Sequence, residues 1–140
     1  MKALTFLKIT TVLNVLVATG FAVAGIVSPF LILPANVTTD KAITVFALYA
    51  GARAIPMVTL TIMSVFSKHW NAFITLAVLA GLIQFLDGFI GIYQQDLSKT
   101  AGPFIIATIQ FAAIYLAVRN NHKINNLSPG SVIIHTNFCF

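Results

Sequence analysis

The sequence predicts an all-α protein, a transmembrane up-down four-helix bundle, and three observations predict it. Apolar residues fall into four long blocks, charged residues are scarce, and the links between blocks are short and polar. Of 140 residues, 59% are hydrophobic and only 8% are charged, and the mean hydropathy is +0.95. A soluble domain carries about 25% charged residues because its surface must be solvated. Most of this surface therefore meets lipid.

The predicted helices cover residues 9–33, 42–66, 72–93 and 101–118. Each is close to the roughly 17–25 residues that cross a hydrocarbon layer of about 30 Å. Within that layer a segment must satisfy its own peptide groups, and a helix does so locally. The first block starts after Lys2 and Lys8 and ends at Pro34. A cleaved leader is the alternative there, since Ala22-Val23-Ala24 resembles a signal-peptidase site. The apolar run continues through Ile26, Val27, Phe30, Leu31 and Ile32, which favours a retained helix. In the second block Pro56 removes an N–H and predicts a kink one turn below Arg53.

Short connections make neighbouring helices antiparallel, so residues 1–118 form one transmembrane domain. Residues 119–140 read as a polar linker followed by a short apolar tail ending in Phe138-Cys139-Phe140. The pairs Gly20/Ala24, Ala47/Gly51 and Ala77/Gly81 have the small-xxx-small spacing that lets helices approach closely.

Basic residues set the orientation. Lys2, Lys8, Lys68, Arg119 and Lys123 fall on one side, and Lys41 and Lys99 on the other. The bias predicts both termini in the cytoplasm. On the opposite side Asn36-Val37-Thr38 is a glycosylation tripeptide lying very near the membrane.

The net charge of +5 does not signal nucleic acid, because the cations stand singly at span ends, where headgroups favour them. Membrane lipid is the expected partner. One cysteine excludes a dithiol oxidoreductase within a single chain. The three histidines are far apart, and no metal or cofactor signature occurs.

Ionisable groups inside spans are costly and usually face the bundle interior. Two occur here, Arg53 in the second span and Asp87 in the third, with Gln84 and Gln110 as amides at depth. Counting about 1.5 Å per residue from the outer end, Arg53 lies about 16 Å deep, Gln84 and Gln110 about 14 Å, and Asp87 about 9 Å. Tyr49 stands one turn above Arg53. The expectation is one polar layer of Tyr49, Arg53, Gln84, Asp87 and Gln110, with Arg53 and Asp87 in contact. Two roles fit it: a buried ion pair that fixes helix register, or a cavity that orients the polar group of a lipid-like or aromatic molecule.

The stretches Gly51-Ala52-Arg53-Ala54-Ile55-Pro56 and Ala80-Gly81-Leu82-Ile83-Gln84-Phe85-Leu86-Asp87-Gly88 resemble the DoxX-like families, small four-helix membrane proteins of unknown function. A Gly-x-Arg in the second helix and an aspartate late in the third are characteristic there. The likeness covers roughly residues 5–118 and implies the same fold, with Arg53 and Asp87 as the polar pair. The Arg-Asn or Arg-Asp dipeptide common in that group is Arg53-Ala54 here. Three functions remain open on sequence: binding or acting on a small membrane-dissolved molecule, serving as accessory subunit or oligomer component in a larger complex, or transport coupled through Asp87.

Overall fold

The computed structural model describes residues 2–28 and 41–127. Four α-helices account for nearly all of them: α1 Lys2–Val27, α2 Lys41–Phe66, α3 Trp70–Tyr93 and α4 Leu97–Leu127. All four are long and apolar enough to cross a membrane, and the expected all-α transmembrane bundle is present. The link 29–40, with the Asn36 tripeptide, and the tail 128–140, with Cys139, lie outside the described residues.

Four helix bounds differ by four residues or more from the sequence expectation. α1 ends at Val27 rather than 33, and α4 starts at Leu97 rather than 101, where Asp96 caps it. The other two ends are extended. α1 begins at Lys2 rather than 9, because Ala3, Leu4, Phe6 and Leu7 extend its apolar run. Lys8 does not interrupt it, since a lysine stem can lie along apolar surface while its head reaches the interface. α4 continues past 118 to Leu127, so the first part of the expected linker is helix. No Gly or Pro intervenes before Leu127, and the polar groups of Arg119 to Lys123 are solvated once the helix leaves the hydrocarbon. At about 1.5 Å per residue, α4 is about 46 Å long, more than a bilayer core needs.

The short turns are built by specific residues. α3 ends with the Asp96 N–H bonded to the Gly91 carbonyl and the Gln95 N–H bonded to the Ile92 carbonyl. These are the two bonds of a Schellman end, which needs a left-handed residue between them. Gln95 takes that role with φ 56°. Asp96 then caps α4, its Oδ1 accepting from the N–H groups of Ser98 and Lys99 at 3.0 and 3.2 Å. Those bonds, led by the one from Lys99, hold the Asp96 carboxyl below its usual pKa. Lys99 Nζ also pairs with Asp96 at 3.4 Å.

Packing is uneven along the bundle. A cluster of Leu7, Val65, Phe73, Ala77, Ala113, Ile114 and Ala117 fills the end where α1 begins and α4 ends, beside the α2–α3 turn. We call this the proximal end and the α3–α4 turn the distal end. α3 and α4 make the most extensive contact, and α2 rests mainly on α1 with a smaller contact on α3. Glycines permit the closest approaches. A Cβ at Gly91 would strike the Lys99 backbone, and one at Gly88 would lie 2.8 Å from the Phe104 ring. Gly51 seats α2 on Ile26 of α1, and Gly81 accommodates Phe111. Gly20, by contrast, has nothing within 4 Å of a built Cβ, so its small-residue spacing marks no helix contact. α2 runs continuously through Pro56.

Several hydroxyl groups are satisfied on their own helices. Thr59 and Thr108, both exposed, donate to the carbonyls of Ile55 and Phe104 at 2.8 Å. This is how threonine tolerates lipid-facing positions.

Candidate functional site

The polar residues within the spans divide into three groups instead of one layer. The first lines a cavity of about 250 Å³ in the distal half, bounded by Phe21 of α1, Gln84, Asp87, Ile90, Gly91 and Gln94 of α3 and its cap, and Lys99 and Pro103 of α4. On α3 the positions 84, 87, 91 and 94 recur at intervals of three and four, which places them on one stripe. The main hydrophobic core cluster lies at the other end of the bundle.

Gln84 is 1% exposed, and its Nε2 has no hydrogen-bond partner. Gln94 presents a buried Oε1 that is likewise unpartnered. Asp87 is half-buried and makes no hydrogen bond or ion pair with any described residue. A buried amide left unsatisfied costs about 1–3 kcal/mol, so such groups ordinarily meet a partner. One cavity thus collects a donor at Gln84, an acceptor at Gln94 and a carboxylate at Asp87, against apolar walls of Phe21, Ile90 and Pro103.

The second group is sealed in the core. Gln110 is 1% exposed, and its Nε2 donates to Thr11 Oγ1 at 2.9 Å and to the Ala77 carbonyl at 3.3 Å. Thr10, Asn14, Thr61 and Ser64 are also buried. Thr10, Thr61 and Ser64 bond to carbonyls of their own helices at 2.7–3.0 Å. Gln110 ties α4 to α1 and α3 and lies outside the cavity lining.

The third group lies on the surface of α2. Arg53 is exposed, and Tyr49 one turn away is 62% exposed. The expected contact between Arg53 and Asp87 is absent, and so is the single layer joining Tyr49 and Gln110 to them. The physical reason is the seating of α2 on α1. Gly51 lies against Ile26, and Arg53, two residues on, projects about 160° away from it around the helix. The structure thus brings Gln84 and Asp87 together and leaves Tyr49, Arg53 and Gln110 elsewhere.

Sequence reasoning missed Gln94 and Lys99 in the cavity and Asn14 and Thr11 in the core. Gln94 was legible as a continuation of the 84–87–91 stripe. Thr11 carried no signal, because a threonine in an apolar run more often bonds its own helix.

A second, larger cleft of about 590 Å³ lies at the proximal end, lined by Lys2, Phe6, Leu116, Arg119, Asn120 and Lys123, among others. It joins the start of α1 to the end of α4. Among the described residues no cluster of metal-ligating side chains occurs.

No family model, curated protein or solved structure matches this chain. The four spans define a multi-pass integral membrane protein.

Proposed function

We propose that the protein binds, within the membrane, a small amphipathic molecule whose polar head enters the cavity beside Asp87. One observation carries the reading: the Gln84 amide is buried, unpartnered and in the cavity wall. A hydroxyl or amide head would accept from Gln84 and donate to Gln94 or Asp87, since these side chains offer complementary bonds. The apolar body would lie against Phe21 and Ile90 and remain in contact with lipid. A site of this form, mostly apolar with a few convergent polar groups, is what small-ligand pockets are usually made of. Binding in such a cavity does not by itself imply chemistry on the ligand.

Kinship with DoxX-like proteins belongs to the same proposal, supported by the Gly51-x-Arg53 and Asp87 pattern and the four-helix fold. Both termini on the cytoplasmic side are also part of it. That orientation is supported by the gathering of Lys2, Arg119 and Lys123 around one cleft, where the anionic cytoplasmic leaflet would attract them.

The test is native mass spectrometry of the chain released from membrane nanodiscs. Wild-type protein should carry a small adduct, and Asp87→Asn and Gln84→Leu should lose it. Bare wild-type chain, or an adduct unchanged in both variants, would refute the proposal.

A further inference from the structure

Arg53 stands near the middle of a membrane helix, on a face that no other part of the described chain covers. Its neighbours on that face are apolar and exposed: Phe46 at 74%, Leu60 at 55% and Met63 at 63%. A lipid-facing guanidinium at this depth is costly unless something neutralises it. Lipid phosphates are at the surface, and Arg53 is about 18 Å from the distal start of α2 by helical rise.

Asp87 presents the reciprocal problem, a carboxylate inside the span with no cation bonded to it among the described residues. Lys99, the other cation at that cavity, is held by Asp96. Arg53 does not reach Asp87 within its own chain, because the contact of Gly51 with Ile26 holds α2 on α1.

We propose that the exposed face of α2 docks on a second copy of this chain, with Arg53 of each copy paired to Asp87 of the other. The argument is charge complementarity. An unrelated partner would need its own acid for Arg53 and would leave Asp87 unpaired, whereas a symmetric pair of copies neutralises both. The levels fit as well. Asp87 lies about 9 Å from the distal end of α3, and helical side chains lean toward the N-terminus of their helix. In the antiparallel α2 and α3 that lean brings the two groups toward each other. The inference rests on charge placement and does not require that the cavity hold a ligand.

The test uses two differently tagged full-length copies. Wild-type tags should co-purify in mild detergent. Arg53→Asp alone sets Asp against Asp, Asp87→Arg alone sets Arg against Arg, and each should lose at least tenfold in self-association. Co-expressed, the two variants restore both pairs and should co-purify at the wild-type level. A monomeric wild-type chain, or swapped partners that accumulate without associating, would overturn the proposal. If the swapped chains fail to accumulate, Arg53→Cys is co-expressed with Asp87→Cys, both carrying Cys139→Ser, and treated with a short bifunctional maleimide. A cross-linked heterodimer supports the interface, and its absence refutes it. Because each copy carries one thiol, a link between the two tags must cross the interface.

Discussion

Replacing Gln84 with leucine should move stability and affinity in opposite directions. Gln84 is 1% exposed with an unpartnered Nε2. In the unliganded protein that amide costs about 1–3 kcal/mol, and leucine, of similar volume, removes the cost. The variant without ligand should therefore be more stable by up to that amount, about 5- to 150-fold in the unfolding equilibrium. With ligand the sign reverses. The head group loses its donor and leaves its own acceptor buried and unmet, a further loss of about 1–3 kcal/mol. Affinity should fall about 5- to 150-fold. Unfolding by steric trapping in bicelles reads the first quantity, and adduct occupancy in native mass spectra reads the second. A variant that is less stable, with occupancy unchanged, would refute the reasoning, because the amide would then be satisfied by the bundle itself.

Four other outcomes follow from the same structure. Gly91→Ala places a methyl group against the Lys99 backbone, where no side chain can yield, and should lower stability in the same assay by about 1–3 kcal/mol. Gln95→Gly relieves the left-handed backbone at φ 56° and should raise it by about 1 kcal/mol. The Asp96 cap has a lowered pKa, so its contribution is complete above the ordinary carboxylate range near pH 4 and fades as pH falls through the lowered value; Asp96→Ala should flatten that acid limb of the stability–pH curve. Arg119→Gln with Lys123→Gln should weaken retention of anionic phospholipid, read by lipid co-purification, and leave zwitterionic phospholipid unchanged.

The sequence carried the bundle well because lipid imposes one demand on every span. A block such as Trp70–Tyr93 has no alternative to a helix once its peptide groups are out of water. The helix ends were less legible. The proximal extension of α4 through Asn120, Asn121 and His122 lies where polarity no longer opposes a helix, so a change of composition was not a change of structure. The site was half legible. Gln84 and Asp87 share a face of one helix, and periodicity finds such pairs. Arg53 was misplaced because depth can be counted along each helix, whereas the rotation of α2 about its axis is set by Gly51 against Ile26, a contact between helices that no count along one of them contains. Depth counting put Gln110 in the same layer as Asp87, yet its amide nitrogen donates to Thr11 and the Ala77 carbonyl instead.

The most direct test of the cavity is a photo-reactive amino acid introduced in native membranes, at Phe21 or Ile90 in the lining and at Leu13 or Leu16 on the exposed face of α1. Positions 21 and 90 should capture one common small amphipathic species, and positions 13 and 16 should not. Capture of the same bulk phospholipid at all four positions would contradict the account.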